Sequence, residues 1–596
     1  MLFRSKLVNL DNHINFLNKK IKNLPAGKQG QDIFLVGGAI RNLLLGIDND
    51  PTDIDFTMAG KPEEIYKKID KKWLSHFITE KFGTITLIKK LQGGKVTKIQ
   101  SEEKNYETLK YELTPLRTEW DYEDFRHPGK INRSNDLLLD SARREFTISA
   151  IYYANIKSQA VKTIKISSIQ NVINDEELIE ILEKKWFVWI ENLNLFVIQS
   201  HEYINKLFKD GEIQIDYIKY LFNLIDTNAI RLWKIKIKSD WIMRFVIDPH
   251  KWIQDLNDKK LRTVGDPDKR FGEDALRIIR ALRIVNVGNV KLLKQKSEKL
   301  FDFEKDTRMG IKKNCNLLEK VAKERIKEEI CKAFKEWSPF WFISLLDETK
   351  LLEFLFPALY QTKKIEQPIR YHPFDIYAHT LLSLFELEKI NPDYLVRFAM
   401  LYHDVGKVDQ FWAYKDNLNK DEIREILAWP LNHRRSWPEL VKRDFSKLGF
   451  SSKEINDISR YVENHHKPEE ILFAKEENKI KKTRKFFSEA WWERANNILD
   501  IMMADRTGTY NPLQKASDLT EVIQVKRDIK KLNEKEGQFT AKKLAINGDD
   551  IMKHFKLKPW KNIGYLLEKA LDRAMSDIKK RNDKKTILWY LGKFVK

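Results

Sequence analysis

Residues 33–60 read IFLVGGAIRNLLLGIDNDPTDIDFTMAG, and this stretch decides the fold of the N-terminal part of the chain. Its apolar beginning, residues 33–36, is typical of a buried strand. The glycine pair Gly37 and Gly38 follows, where backbone N–H groups can approach an anion that a Cβ would obstruct. Arg41 comes one turn later, where its guanidinium can clamp the same anion. The stretch therefore predicts a strand, an anion-binding turn and a helix start.

Asp53 and Asp55 form an acidic pair on a second predicted strand. Because side chains alternate along a strand, residues two apart leave from the same face. Two carboxylates on one face can hold hard divalent cations such as Mg²⁺. Two such ions would activate an attacking hydroxyl and stabilise a leaving pyrophosphate. We interpret the stretch as a nucleoside triphosphate site in which Asp53 and Asp55 are the catalytic metal ligands.

Taken singly, a glycine pair is usually a turn and an Asp-x-Asp pair is usually a solvated loop. In this order and spacing, LVGGAIRNLLLG and DIDFT resemble the signature of class II tRNA nucleotidyltransferases and bacterial poly(A) polymerases, within the polymerase-β-like nucleotidyltransferases. The resemblance implies template-independent addition of C, C and A to the 3′ end of tRNA, with CTP and ATP as substrates. Asn42 stands where the family usually has Asp, and we assign it no catalytic role.

The resemblance extends to two further segments of the head. In YELTPLR it implies that Glu112 is the third catalytic metal carboxylate. In LLLDSARREFTISAIYYA it implies that Asp140, Arg143 and Arg144 contact the sugar and the triphosphate of the incoming nucleotide. Glu145 replaces the Asp that is usual in this second motif.

A third segment, RFGEDALRIIRALRIV, contains a candidate base-reading group, which we predict to open a helix. Asp274 and Arg277 are three residues apart and would project together, which in isolation indicates a surface salt bridge. Asp accepts and Arg donates, which matches the Watson–Crick edges of cytosine and adenine and not those of uracil and guanine. The resemblance implies that this pair, with Glu273 and Arg280, binds the nucleotide and acts as an amino-acid template.

The C-terminal half contains a second metal-ligand pattern, which resembles the H…HD…D order of the HD phosphohydrolase superfamily. Its members are His379 in YAHT, His403 and Asp404 in MLYHDVGK, and Asp505 in IMMADRTG. Imidazole and carboxylate together suit Mg²⁺ or a divalent transition metal, and the residue types do not choose among them. Two further histidines, His433 and His465, are either additional ligands or lining of the same pocket.

The composition favours a polyanionic partner. The chain of 596 residues has 108 Lys and Arg against 87 Asp and Glu, a formal net charge of +21. RNA fits this charge better than a membrane, since no apolar run approaches the length of a membrane span. The two cysteines, Cys315 and Cys331, provide no disulfide framework, and a reducing cytoplasm is expected.

We predict an α+β multi-domain chain, whose head has a mixed or antiparallel sheet and whose neck, body, HD domain and tail are helical. The oligomeric state is not predicted. The predicted segments are the catalytic head at 1–155, an inserted helical subdomain of unknown role at 156–244, the end of the head with the base-reading neck and RNA-binding body at 245–360, the HD domain at 361–512, and a helical tRNA-binding tail at 513–596.

Three other functions stay open at this point. An enzyme that adds only A, to tRNA or as poly(A), would carry the same motifs. A metal-dependent phosphohydrolase could act on RNA ends or cyclic phosphates and use its head only to bind RNA. An RNA-binding protein without chemistry is the third. The presence of Asp53, Asp55, Arg143, Arg144, Asp274 and Arg277 argues against an inactive head, and the complete H…HD…D pattern argues against an inactive HD domain.

Tryptophan stands at four positions where the family pattern has glycine: Trp120, Trp252, Trp437 and Trp560. The chain has 16 tryptophans and only 22 glycines. Because the largest and smallest residues rarely interchange four times, we hypothesise that UGA codons read as glycine in the source organism were rendered as tryptophan. Genuine divergence is the alternative.

Overall fold

The computed structural model divides the chain into two compact units, residues 1–321 and 322–596. For some residues, such as Asp53, Trp120 and Trp437, the description covers the backbone only. The described residues are 11–14, 17, 33–38, 40, 53–69, 75–78, 83–90, 108–122, 128–157, 187–190, 195–198, 208–209, 212–213, 242–250, 252–294, 300–336, 338–367, 374–415, 418–419, 422–423, 437–490, 492–509, 519–535, 537, 539–557 and 562–595.

The first unit is built on a mixed β-sheet. Its described strands are β1 (Ile33–Val36), β2 (Asp53–Met58), β3 (Ser75–Ile78), β4 (Ile85–Lys90), β5 (Thr108–Pro115), β6 (Arg117–Tyr122), β7 (Pro128–Arg133), β8 (Tyr152–Lys157), β9 (Phe187–Ile190), β10 (Leu195–Ile198), β11 (Phe208–Lys209), β12 (Glu212–Ile213), β13 (Ile242–Ile247), β14 (Lys260–Leu261) and β15 (Asp302–Phe303). Nine of these form one sheet in the order β3-β4-β5-β2-β1-β8-β13-β10-β9. Within it, β2–β5 and β10–β13 pair in parallel, and the other neighbours are antiparallel. The predicted mixed sheet is confirmed.

The alternation along the central strands separates an apolar face of the sheet from an acidic one. In β2, Ile54 and Phe56 are buried whereas Asp55 between them is exposed. In β5, Tyr111 and Leu113 are buried. The period of two is local to the surroundings of Asp55, since Thr57 of β2 and all four residues of β1 are buried as well.

The helices of the first unit begin at residues that suit helix starts. They are α1 (Pro62–Lys68), α2 (Leu137–Ala142), α3 (Trp252–Asn257), α4 (Pro267–Glu273), α5 (Leu276–Lys294) and α6 (Lys305–Asn314), with 3₁₀ turns at Thr147–Ser149 and Cys315–Lys320. The carboxylate of Asp136 caps α2 by accepting hydrogen bonds from the backbone N–H groups of Leu138 and Leu139, at 2.7 and 3.2 Å. Asp266 caps α4 in the same way, and Pro267 occupies the first helical position.

The second unit is helical throughout its described residues, as predicted. Its helices are α7 (Lys323–Glu336), α8 (Pro339–Glu348), α9 (Leu352–Leu355), α10 (Pro357–Gln361), α11 (Ile376–Ile390), α12 (Tyr394–Tyr402), α13 (Lys407–Tyr414), α14 (Trp437–Lys447), α15 (Ser452–Asn464), α16 (Lys467–Leu472), α17 (Glu476–Ala490), α18 (Trp492–Gly508), α19 (Thr520–Lys535), α20 (Gly548–Phe555), α21 (Asn562–Met575), α22 (Ile578–Arg581) and α23 (Lys584–Leu591), with a 3₁₀ turn at Ala541–Lys543. Helix α11 packs along α18.

The described residues within 156–244 differ from the predicted helical insertion. The described residues of this segment are strands, and β9 and β10 extend the same sheet that carries β1 and β2. The helical interpretation of DEELIEILEKKWFVWIENL is wrong at Phe187–Ile190, where the run FVWI forms β9. Aromatic and β-branched side chains favour a strand that can pair with a neighbouring one, and β10 provides that pairing. The remaining segment boundaries stay predictions.

None of the described helices is long and apolar enough to cross a membrane. Cys315 and Cys331 are both free thiols.

Trp252, one of the four tryptophans at glycine positions, is completely buried at the start of α3. Its backbone N–H donates to the carboxylate of Asp248 at 2.8 Å. Its indole Nε1, by contrast, has no hydrogen-bond partner among the described residues. An unpaired buried donor carries a desolvation penalty of about 1–3 kcal/mol. This supports the glycine hypothesis, which stays a prediction.

We expect peptide mass spectrometry of the protein isolated from its source organism to find glycine at residue 252. The recombinant chain made with a tryptophan codon at that position provides the matched reference peptide. A tryptophan mass in the native peptide would contradict the hypothesis.

Candidate functional site

Asp55 and Glu112 lie opposite each other on neighbouring strands. Strands β2 and β5 pair in parallel with Asp55 in register with Glu112 and Asp53 in register with Lys110. Since paired residues of adjacent strands project from the same face, the two carboxylates point the same way. The ammonium of Lys110 forms an ion pair with Glu112. The structure thus brings together two of the three predicted metal carboxylates; the side chain of Asp53 lies outside the described part.

The glycine turn lies directly beside this acidic face. Gly37 has a φ of +72°, a left-handed conformation that side-chain-bearing residues rarely adopt. A Cβ at Gly37 would also come within 3.3 Å of the Asp55 Oδ2 atom. Gly38 is already helical. The predicted anion-binding turn and the predicted metal ligands are therefore neighbours, whereas Arg41 is not among the described residues.

A buried carboxylate, Asp140, gathers the two predicted nucleotide-binding arginines. The Arg143 Nε atom donates to Asp140 Oδ1 at 2.8 Å, and the Arg144 Nη2 atom donates to Asp140 Oδ2 at 2.9 Å. The Tyr152 hydroxyl donates to the same Oδ2 at 2.9 Å, and the backbone N–H of Arg117 donates to Oδ1 at 3.4 Å. All three members of the predicted group are thus in contact.

The surroundings of this group keep Asp140 ionised and Tyr152 neutral. Burial raises the pKa of Asp140, but the charges of Arg143 and Arg144 outweigh that effect and hold the pKa below its usual range. Burial and the nearby Asp140 raise the pKa of Tyr152, which therefore stays a neutral donor. The group is a pair of fixed guanidinium ions oriented by one ionised carboxylate.

Glu119 is a member of this group that the sequence interpretation missed. Its Oε1 atom accepts from Arg143 Nη1 at 3.1 Å and from Arg117 Nε at 2.5 Å. The RTE tripeptide that contains it offered the only signal, an arginine and a glutamate two residues apart on a strand. Arg143 consequently bridges two carboxylates.

The segment predicted to read the base contacts the segment that contains Arg143 and Arg144. Arg270 Nη2 donates to the Ala142 carbonyl at 2.5 Å, and its Nε donates to the Val264 carbonyl at 2.7 Å. The predicted nucleotide-binding residue Arg280 forms an ion pair with Glu145 at 3.1 Å. These contacts fix the two segments relative to each other.

Asp274 and Arg277 lie at the start of α5, as predicted, whereas Glu273 ends the preceding helix, so the prediction that Glu273 opens the same helix is wrong. Helix α4 ends at Glu273, Asp274 has extended backbone angles, and α5 begins at Leu276. The physical reason is capping: the Asp274 carboxylate accepts from the Leu276 N–H at 3.1 Å, a role for which Asp is preferred.

Arg277 points toward the end of α4. Its Nη1 atom donates to Glu273 Oε2 at 2.7 Å and to the Arg270 carbonyl at 2.9 Å. Asp274 and Arg277 are both buried. Glu273 therefore orients Arg277, a contact that the spacing of Asp274 and Arg277 did not predict.

Four predicted HD-domain ligands converge in the second unit. His379 on α11 has its Nε2 atom 2.9 Å from Asp505 Oδ1 on α18. The Nε2 atom of His403 lies 3.4 Å from the same oxygen and 3.5 Å from Asp404 Oδ2. Burial raises the pKa of Asp505, but hydrogen bonds to His379 and His403 outweigh it and hold the pKa well below its usual range. Imidazole nitrogens and ionised carboxylates at these separations fit a divalent metal ion.

A second group of potential ligands shares Asp404. The ligand atoms of Asp404, His465 and His466 all lie within 4.8 Å of one another. Burial, with a smaller effect of His466, lowers the pKa of His465 well below its usual value, which keeps it in the neutral form that binds metals. His466 was missed, although its position next to His465 in ENHHKP was the available signal. His433 falls outside the described residues.

Lys407 also contacts this centre. Its Nζ atom donates to Asp404 Oδ2 at 2.6 Å and to Gln367 Oε1 at 2.8 Å. A buried ammonium in this position orients the carboxylate that both ligand groups share.

Comparison with known proteins supports the interpretation of the head. Residues 33–166 match the family described as "Poly A polymerase head domain". Residues 300–362 match the family described as "Probable RNA and SrmB- binding site of polymerase A". The chain is 26% identical over 303 residues to a CCA-adding enzyme of Lactobacillus helveticus strain DPC 4571, an alignment that covers 51% of this chain and 46% of the relative. The chain thus aligns with about half the length of that curated relative.

Two solved structures are similar to this chain. A CCA-adding enzyme in apo form II superposes with a TM-score of 0.50 at 17% identity, covering 98% of this chain and 96% of that one. The Bacillus stearothermophilus CCA-adding enzyme in complex with CTP gives a TM-score of 0.47 at 17% identity, covering 97% and 96%. The match of residues 33–166 to the poly A polymerase head domain agrees with the sequence motifs.

Proposed function

We propose that the protein is a template-independent nucleotidyltransferase that adds C, C and A to tRNA 3′ ends from CTP and ATP in the cytoplasm. The observation that carries this proposal is the register that sets Asp55 opposite Glu112, beside the left-handed turn at Gly37. A curated relative of the chain, named a CCA-adding enzyme, supports the choice of reaction.

The carboxylates of Asp53, Asp55 and Glu112 would hold Mg²⁺, which supplies activation of the tRNA 3′ hydroxyl and charge stabilisation at the leaving pyrophosphate. The backbone N–H groups at Gly37 and Gly38 would bind phosphate oxygens, because no Cβ obstructs their approach.

Arg143 and Arg144 would hold the remaining triphosphate charge. Asp140 keeps both guanidinium groups oriented before the nucleotide binds, so little rearrangement is needed when it arrives.

Base choice in this proposal rests on the helix break between α4 and α5. Glu273 holds the Arg277 guanidinium by an ion pair. Asp274, which has extended backbone angles, follows Glu273 directly in sequence and provides a second carboxylate. Arg277 as donor and Asp274 as acceptor match the hydrogen-bonding edges of cytosine and adenine. Uracil and guanine would place a donor opposite Arg277 and an acceptor opposite Asp274.

An enzyme that adds only A would use the same residues, so a product analysis separates the two activities. Purified protein is incubated with tRNA that ends before CCA, with CTP and ATP separately and together, and the product ends are sequenced. Ends carrying CCA support the proposal. Addition of A alone, or of a long A tract, would assign the alternative activity.

A second candidate function is metal-dependent phosphohydrolysis in the HD region, acting on RNA ends or cyclic phosphates. The convergence of His379, His403, Asp404 and Asp505 favours it, because the Nε2 atom of each histidine lies within 3.9 Å of a carboxylate oxygen of both aspartates, which a purely structural role does not require. These residues belong to the second unit, so the two activities would be separable.

Asp55→Asn should lower nucleotide addition by at least about 10³-fold, the loss that follows removal of a transition-state contact of about 4 kcal/mol. Binding of tRNA should persist, because the substitution leaves the basic surfaces intact. Glu64→Gln, which changes an exposed carboxylate on α1, is the matched control and should keep full activity. The measurement is the rate of CTP incorporation, and a wild-type rate for Asp55→Asn would show that the metal assignment is wrong.

Asp274→Ala and Arg277→Ala should erode discrimination against UTP and GTP more than they weaken triphosphate binding. A site built from buried polar groups can reject a mismatched substrate by about 10⁴-fold or more, and this margin should shrink in both variants. The measurement is kcat/KM for all four nucleotides. Asp268→Ala, an exposed carboxylate on α4, is the control. If folded variants keep the wild-type selectivity among the four nucleotides, Asp274 and Arg277 make only structural contacts at the helix ends and do not read the base.

His403→Ala should reduce the amount of divalent metal bound per chain and remove any hydrolysis of a 2′,3′-cyclic phosphate, while nucleotide addition continues. The reason is that His403 contributes a ligand nitrogen at a centre that lies in the other unit from the carboxylates of the head. His554→Ala, an exposed histidine on α20, is the control. Bound metal is measured by elemental analysis, and a wild-type protein that neither binds nor uses any divalent ion would refute the prediction.

A further inference from the structure

One cation lies among the predicted metal carboxylates of the head. Lys110 stands two residues before Glu112 on β5, so both side chains leave the same face of that strand. Strand pairing sets Lys110 opposite Asp53 on β2, and the same register sets Glu112 opposite Asp55. Neighbouring strands lie about 4.8 Å apart, and same-face residues of one strand about 6.6 Å apart. Lys110 therefore takes one of four adjacent positions, of which the other three belong to the predicted metal ligands.

The ammonium of Lys110 contacts one of these carboxylates directly. It forms an ion pair with the Oε1 atom of Glu112, and the two side chains are 39% and 33% exposed. An ion pair with this exposure contributes little to the stability of a fold. Its importance lies in its position, because a carboxylate oxygen assigned to a metal ion already has a cationic partner.

A cation beside a metal ligand weakens metal binding. Mg²⁺ must displace the ammonium from Glu112, and the positive charges of the two groups repel each other. A nucleoside triphosphate reverses both effects, because its phosphates give the ammonium another anionic partner and give Mg²⁺ further oxygen ligands. The turn at Gly37, where we propose that phosphate binds, lies beside Asp55, which is the neighbour of Glu112 in register.

We propose that Lys110 makes the binding of Mg²⁺ to the head depend on the triphosphate. Its ammonium holds Glu112 before the nucleotide arrives and transfers to a phosphate oxygen when the nucleotide binds, so that metal and nucleotide enter together. Lys110 is a positioning residue, since it acts through Glu112. The inference rests on the proposed function, because it uses the metal carboxylates and the triphosphate site assigned there.

The test measures binding of Mn²⁺, used as the probe for Mg²⁺, to the full chain by electron paramagnetic resonance. The portion that belongs to the head is the portion that Asp55→Asn removes. Without nucleotide, Lys110→Met should lower the Kd of the head for Mn²⁺ about fivefold, the factor that an interaction between partly exposed charges supplies. A gain of affinity is expected only from relief of competition, because a misfolded variant would bind the ion more weakly.

Two variants control for the substitution itself. Lys110→Arg keeps a cation beside Glu112 and should retain the wild-type Kd. Lys67→Met removes an exposed lysine on α1 and should also leave the Kd unchanged.

A second measurement tests the dependence on the triphosphate. With saturating CTP and tRNA lacking CCA, the free Mg²⁺ concentration that gives half-maximal nucleotide addition is compared between the wild type and Lys110→Met. This concentration should be no lower in the variant, because the bound triphosphate has already drawn the ammonium away from Glu112 in the wild type.

An unchanged or higher Kd for Mn²⁺ in a folded Lys110→Met variant would overturn the proposal, and so would a variant that keeps its advantage when CTP is bound. The proposed function fails in a different way. If Asp55→Asn removes no bound Mn²⁺, the head has no metal site and both proposals are lost. If Asp55→Asn removes Mn²⁺ while Lys110→Met changes nothing, only this inference is lost. A protein that adds only A retains the inference, with ATP in place of CTP in the second measurement.

Discussion

The head depends on one buried negative charge. Asp140 is fully enclosed, and an ionised carboxylate in that position is tolerated only if cations and donors surround it. Asp140 itself lies on α2, Arg143 and Arg144 supply them from the turn that follows it, and Tyr152 does so from β8. Removing one partner of such a group typically costs about 3–5 kcal/mol, because the remaining charge is left uncompensated. The same interaction therefore holds three elements together and orients the two guanidinium groups.

The sequence predicted those features of the head that local pattern determines. The period of two in residues 53–58 and the glycine pair before them defined the strands, the turn and the carboxylate face of Asp55. Glu112 was reached through family resemblance, since its place opposite Asp55 depends on strand register across more than fifty residues of chain. The end of α4 at Glu273 escaped prediction. Asp274 suits a helix start, but the sequence does not show that another helix ends directly before it, which the backbone angles reveal. The strand at Phe187–Ile190 was missed because an apolar run pairs as a strand only if a partner edge is available.

In the second unit, the order of residues in the sequence predicted the metal ligands, but it did not predict which further side chains lie beside them. The order of His379, His403, Asp404 and Asp505 predicted a metal centre, and helices α11 and α18 bring its first and last members within 2.9 Å. The contribution of His466 and the contact of Lys407 with Asp404 required the structure, because adjacent positions in sequence do not tell which side chain turns inward.

The parallel pairing of β2 with β5 has a consequence for how the protein is made. Strands β3 and β4 lie between them in sequence, so the chain must cross over and return before residue 112 can lie beside residue 55. Contacts of this range form late, after the local hairpins, since the loop entropy must be overcome first. A ribosome-bound chain that has emerged only as far as β4 would hold Asp55 without its partner strand. The acidic face would therefore be completed only when β5 has left the ribosome, which delays any metal-dependent chemistry until the central sheet has closed.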